Sequence, residues 1–212
     1  VLMEFFKATN HARVMNWVDR QLARTPQTLT EADILHLHYL LLNNIDDQNA
    51  GRYRTRQANI SGSAVLLPSS RDVPDLMAEL VKWLESAQNL QPVELAIEAH
   101  YRLVTIHPFA DGNGRVARLL MNMILLMAGL PAANILKGDR LAYCLSLEKA
   151  QIGGSKDEYL RIMTQAIARS ARTRSRGSQG GGSYSWTSIN YFTSKILDGM
   201  PMAINESRSI WK

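Results

Sequence analysis

Cysteine is almost missing from this sequence. Cys144 is the only one, so no disulfide can close within the chain, and a cytosolic compartment is the default expectation. Long apolar runs are missing too. The most apolar stretch, VARLLMNMILLMA at 116–128, falls short of the about 20 residues a bilayer-spanning helix needs, so no membrane role is expected. Neither sign of charge dominates: 24 Lys and Arg face 19 Asp and Glu, a formal net charge of +5. Four of the arginines sit together at Arg169, Arg172, Arg174 and Arg176, which reads as a solvated basic run and not as a nucleic-acid surface. Metal-ligand spacing is absent as well. His36 and His38 lie two apart and would point away from each other on a helix, so they read as core-edge histidines. No signal-peptide pattern is visible, and a start at Val1 is expected to mark a fragment.

What remains is an ordinary globular composition, 46% hydrophobic and 20% charged, on 212 residues: one domain with an appendage. The pattern is helical nearly throughout. An imperfect helical period covers 2–23, and Pro26 ends it. Thr30-Glu31-Ala32-Asp33 has the spacing of a capping box, with Leu29 and Ile34 as a hydrophobic staple, and opens a helix through about Leu42. Val73, Leu76, Met77, Leu80, Val81 and Leu84 form an amphipathic stripe. Residues 93–106 make another helix, stopped by Pro108; His100 within it reads as structural, with no evident partner. Further helices are expected over 116–128, 139–151 and 156–169. Only 51–68 breaks the pattern. There Arg52, Arg54 and Arg56 alternate with Tyr53 and Thr55, suiting one wet and one packed face, and Gly62 separates two short runs able to pair as a hairpin.

The chemistry concentrates in His107-Pro108-Phe109-Ala110-Asp111-Gly112-Asn113-Gly114-Arg115-Val116-Ala117-Arg118. Asp111 to Gly114 is strong turn chemistry, handing over to an apolar helix. A helix start offers unpaired N–H groups and the positive end of the dipole, and small residues at Gly112, Asn113 and Gly114 let phosphate oxygens approach. Arg115 and Arg118, three apart, can clamp further phosphate charge. Asp111 makes sense beside polyphosphate as a ligand for Mg²⁺. His107 is the nearby group able to take a proton at neutral pH. Together they point to nucleotide phosphate chemistry.

This stretch resembles the defining motif of the Fic family, HPFx(D/E)GNGRxxR, with every fixed position present. The resemblance covers roughly 1–168. It implies an all-α Fic fold, a helical bundle with a small β-hairpin flap over the active site. It implies an enzyme that moves AMP from ATP to a Ser, Thr or Tyr hydroxyl of a target protein, the two partners being ATP and that protein. By the same resemblance His107 is general base, Asp111 holds Mg²⁺, Gly112 to Gly114 form the anion hole, and Arg115 and Arg118 hold the outer phosphates. The flap, Ile60, Ser61, Gly62, Ser63, Ala64 and Val65, follows a GRYR-type segment and would dock the target's backbone as an added strand. Tyr143 and Gln151 fall where relatives contact adenine, while Cys144 stands where a second tyrosine is often found. Glycine at 114 favours AMP transfer over the kinase chemistry of a relative with lysine there; transfer of UMP stays open.

Many Fic enzymes restrain themselves with an (S/T)xxxE(G/N) helix whose glutamate engages the second arginine, here Arg118. No glutamate of this chain is followed by Gly or Asn, so the restraint is expected in a segment upstream of the chain, in a separate inhibitory protein, or nowhere. A homodimer, and delivery into a host cytosol as an effector, are left open. Residues 169–185, rich in Arg, Ser and Gly, read as a flexible linker. Residues 186–212 regain apolar character and read as a docking helix, with a faint likeness to part of a MerR-type helix-turn-helix. The rival to an enzyme is a regulator that binds nucleotide or DNA through this tail. The intact His107 argues against it, since binding alone needs no base.

Overall fold

The computed structural model describes residues 2–25, 28–87 and 89–177. The expected linker beyond Gly177 and the segment 186–212 lie outside the described residues. Seven α-helices are present among those described: α1 (Leu2–Leu22), α2 (Glu31–Leu42), α3 (Val73–Ser86), α4 (Pro92–Ile106), α5 (Asn113–Met127), α6 (Arg140–Gln151) and α7 (Asp157–Gly177). None is long and apolar enough to cross a membrane.

Local chemistry sets several of these ends. Asp33 N–H donates to Thr30 Oγ1 at 3.2 Å and Thr30 N–H to Asp33 Oδ2 at 2.9 Å, so both halves of the capping box at α2 are formed. Pro92 occupies the first position of α4, where its missing N–H costs nothing. α7 is longer than expected: it runs past Arg169 to Gly177, through the first part of the stretch expected to be linker. Ala171 is buried within that extension, and Arg169 at its start pairs with Asp139.

α4 and α5 pack against each other at the centre, and the other helices gather round them. Ile97, Leu103 and Ile106 from α4 meet Val116, Leu120 and Leu125 from α5, all within 2% of full burial. Each such side chain contributes roughly 1.5–3 kcal/mol by leaving water. The consequence for function is positional. The junction between the two central helices is 107–112, so the most constrained part of the core holds the motif from both ends.

The hairpin is corrected in part. Among the described residues there is no β-strand. Residues 57–68 are a loop with a turn at Ile60–Ser63, closed by Ser63 N–H on the Ile60 carbonyl at 3.1 Å, with Gly62 at φ +74°. Its second arm is extended: Val65 and Leu67 are buried while Leu66 is 95% exposed. Across the arms the bridge is a side chain, Gln57 Nε2 donating to the Leu67 carbonyl at 3.1 Å. A two-stranded ribbon is marginal on its own, and among the described residues no third strand extends this one.

Candidate active site

His107 caps α4 in the left-handed conformation, φ 52° and ψ 57°, and turns the chain away from the helix axis. Non-glycine residues sit there infrequently, so something must hold it. Arg54 does. It is 4% exposed, and its Nε donates to the His107 carbonyl at 2.8 Å while its backbone N–H donates to the Pro108 carbonyl at 2.9 Å. The same guanidinium donates through Nη1 to the Arg56 carbonyl at 3.2 Å and through Nη2 to the Pro68 carbonyl at 2.6 Å. Arg54 therefore joins the motif to both feet of the flap. The expected wet face of alternating arginines holds for Arg52 and Arg56 and fails for Arg54, because carbonyl partners on every guanidinium nitrogen compensate its burial.

Two more side chains brace the loop. Asn113, 3% exposed, accepts from Phe109 N–H at 2.8 Å and donates to the Phe109 carbonyl at 2.9 Å. His38 is fully buried and stacks on Phe109, with ring centroids 3.8 Å apart. Gly51 N–H donates to His38 Nδ1 at 3.0 Å, which places the ring proton on Nε2, and Nε2–H donates to the Asp111 carbonyl at 3.0 Å. Burial lowers this imidazole to about 4, so the neutral bridging form persists at neutral pH. The core-edge reading stands for His36, which lies against Trp17, and is wrong for His38. Nothing local in the sequence marks His38 as a loop brace, since Asp111 lies 73 residues away.

At the base, His107 Nδ1 lies 3.3 Å from the Val104 carbonyl, so Nδ1 carries the proton and Nε2 keeps its lone pair. Burial pushes the ring below its ordinary pKa, with a contribution from the Arg54 charge. Arg115 and Val116 N–H groups bond back to the Gly112 carbonyl at 3.0 and 2.9 Å. Those of Asn113 and Gly114 come before that turn, where a helix has no carbonyl of its own to offer. Gly112 has φ +82°, strained for other residues. At Gly114 a Cβ would lie 3.5 Å from Arg118 Nη1, so the guanidinium stands directly over the glycine.

Asp111 is 73% exposed and pairs with Arg115 Nη2 at 2.9 Å, while its Oδ1 accepts from Gly112 N–H at 2.6 Å. Among the described residues no three His, Cys, Asp or Glu side chains converge as a metal cage. One exposed carboxylate beside the open N–H groups of a helix start is the kind of donor Mg²⁺ takes, with one or two carboxylates completed by phosphate and water.

The outlying candidates divide. Ile60 to Val65 sit on the loop joined to the motif through Arg54, and Ala64 N–H donates to Glu148 Oε1 on α6 at 2.7 Å. Gln151 Nε2 donates to Thr105 Oγ1 in the last turn of α4 at 3.1 Å. Tyr143 is 6% exposed, a core residue whose hydroxyl lies 3.2 Å from His100 Nε2 and faces the Arg118 charge. His100 is corrected too: it has two partners, Tyr143 and Tyr159.

Residues 28–125 match the model of the Fic/DOC family. The chain is 38% identical over 134 residues to the protein adenylyltransferase fic-1 of Caenorhabditis briggsae, covering 62% of this chain and 26% of that protein. It is 36% identical over 157 residues to the protein adenylyltransferase Fic of Nematostella vectensis, 73% of this chain and 36% of that one. The chain thus spans only about a quarter to a third of these relatives. Among solved structures, residues 134–508 of Fic-1 from C. elegans superpose with a TM-score of 0.73 at 30% identity, over 84% of this chain and 54% of that one.

Proposed function

We propose that this chain, whose residues 28–125 match the Fic/DOC family model, is a protein adenylyltransferase acting through the 107–118 loop and helix. The observation that carries the reading is the His107 tautomer. Its Nδ1–H is committed to Val104, and burial keeps the ring neutral, so Nε2 is free to act as base. A target hydroxyl gives its proton to Nε2 as its oxygen bonds to the α-phosphorus of ATP. The bond from that phosphorus to the bridging oxygen breaks, and pyrophosphate leaves. Such base assistance is typically worth roughly 10²–10⁴-fold. The amides of Asn113 and Gly114 receive the α-phosphate oxygens at the start of α5, where the dipole favours anions. Arg115 and Arg118 take the outer phosphates. Mg²⁺, held by Asp111 together with phosphate oxygens, supplies charge neutralisation when bound.

The stretch Ile60–Val65, exposed at Ser61, Gly62 and Ala64, presents backbone groups to the target, which adds as a strand and completes the hairpin that the free loop does not form. Gln151, and Tyr143 through its ring edge, are our candidates for the adenine side. None of the chain's glutamates has the inhibitory context, so restraint of Arg118 would come from outside this sequence.

The test is transfer of label from α-³²P-ATP or γ-³²P-ATP with Mg²⁺ and a cell lysate, in the wild type and in His107→Ala. Label from the α position alone, lost in the variant, is the expected result. Label from γ would mean phosphoryl transfer. Retained α labelling in His107→Ala would remove His107 from the mechanism.

A further inference from the structure

Arg118 is not held by its own helix alone. Its guanidinium faces the Tyr143 hydroxyl, and its charge acts on both Tyr143 and His100. That hydroxyl lies 3.2 Å from His100 Nε2, His100 Nδ1 lies 2.8 Å from the Tyr159 hydroxyl, and Tyr159 Oη donates to the Ile97 carbonyl at 3.4 Å. His100 and Tyr159 are completely buried and Tyr143 nearly so. The direction of every hydrogen bond is fixed by its ends. A guanidinium can only donate and a carbonyl can only accept. Tyr159, which donates to Ile97, therefore accepts from His100 Nδ1–H, His100 Nε2 accepts from the Tyr143 hydroxyl, and the lone pairs of that hydroxyl are left to face Arg118. The reverse order would strand the Tyr143 proton against a cation. Burial holds the imidazole at about 3, so it stays neutral, as this order requires.

We infer that Tyr143, His100 and Tyr159 form a positioning relay that aims Arg118 at the terminal phosphates of the nucleotide. The inference rests on the phosphate role proposed above for Arg118. The second motif arginine stands over Gly114 with Nη1 at the mouth of the anion hole. A long side chain there has many rotamers, and each one frozen before binding lowers the cost of binding. Three buried rings ending on the backbone of α4 give Arg118 one preferred orientation. Tyr143 and Tyr159 thus contribute to nucleotide selectivity without touching the nucleotide's phosphates. The relay also ties the far end of the site to α7, through Tyr159.

The test measures binding, not turnover. In the full chain carrying His107→Ala, to prevent transfer, calorimetry with Mg²⁺ compares ATP with AMP. AMP has no outer phosphates for Arg118 to hold. Loss of a hydroxyl that orients a charged group predicts that Tyr143→Phe weakens ATP roughly five- to tenfold and AMP by less than about twofold. Tyr159→Phe should shift the same ratio in the same direction by less. Adding Tyr143→Phe to Arg118→Ala should change nothing further. An unchanged ATP-to-AMP ratio in Tyr143→Phe, or additivity in that double variant, overturns the relay while leaving the phosphate role of Arg118 intact. No effect of Arg118→Ala on ATP overturns that role, and the relay's purpose with it. Nitrogen chemical shifts of His100 in the unaltered chain give an independent check: the Nδ1–H tautomer is expected, and Nε2–H would overturn the relay.

Discussion

Two non-helical stretches meet at this site and are built in opposite ways. In 107–112 the backbone is gripped by side chains from three parts of the chain. Arg54 holds the carbonyls of His107 and Pro108, Asn113 closes both polar groups of Phe109, and His38 holds Asp111 from below. In 57–68 the feet are tied by Arg54, and the tip has one tie to the body of the protein, Ala64 to Glu148. Leu66 stands free in solvent beside it. The difference matches the roles proposed for the two stretches. A base and an anion hole must be in place before substrate arrives, because their worth lies in not having to reorganise. A backbone that accepts a foreign strand must exchange its bonds for the new ladder, and those of this loop are exchangeable ones, to the side chains of Glu148, Ser63 and Gln57.

Arg54 is the residue on which the contrast hangs, since it serves both stretches. Its loss should do more damage than any change confined to one of them. Arg54→Ala removes three side-chain hydrogen bonds and leaves carbonyls without donors, at about 1–3 kcal/mol for each one left bare and buried. We expect destabilisation of at least about 3 kcal/mol in urea unfolding, with transfer abolished. Arg54→Lys should recover little, because an ammonium cannot reproduce the fork that reaches Arg56, His107 and Pro68 together. A Lys variant with wild-type stability would mean that the loop is held by Asn113 and His38 alone.

The second prediction probes the braced stretch by pH. His107 must be neutral to accept a proton, and burial has lowered its pKa, so protonation on acidification comes later than for a free histidine. Transfer, measured as kcat/KM, should fall on the acid side through an apparent pKa below 6.5 and be level from there to neutral pH. An acid limb centred above 6.5 would contradict a buried base. Arg54 adds to the lowering, so the limb and the clamp are linked.

Much of the braced stretch is legible from sequence and much of its bracing is not. The motif, the turn at Asp111–Gly114 and the buried helix after it follow from local chemistry. So do the capping box at Thr30 and the proline starts, because all their partners lie within a few residues. Arg54, His38 and His100 are different. Their partners lie 53, 73 and 59 residues away, and the sequence around each looks like a wet strand, a helix edge and a plain core position. Tertiary contact gives them their roles. The flap departs from expectation for the converse reason. Its composition permits pairing, and Val65 and Leu67 are buried, but the arms are bridged by the Gln57 side chain in place of a backbone ladder.

The smallest expected change in stability comes from the flap tip, and it would sharpen the contrast most. Ala64→Pro deletes the N–H that Glu148 accepts, at an exposed position outside any helix, where proline breaks no helical bond. Exposed hydrogen bonds of this kind contribute little, so unfolding should move by less than about 0.5 kcal/mol. ATP binding should not change, since the anion hole and both arginines lie on α5. Labelling of the target should nonetheless drop, because one rung of the added strand is gone and proline is tolerated poorly within a pairing strand. Glu148→Gln separates the two jobs of that N–H: it weakens the tie to α6 and leaves the rung available. Target labelling equal to wild type in Glu148→Gln, alongside a loss in Ala64→Pro, assigns the N–H to the target. Equal losses in both would mean that the tip works as a fixed part of the body, and the two stretches would then differ in degree and not in kind.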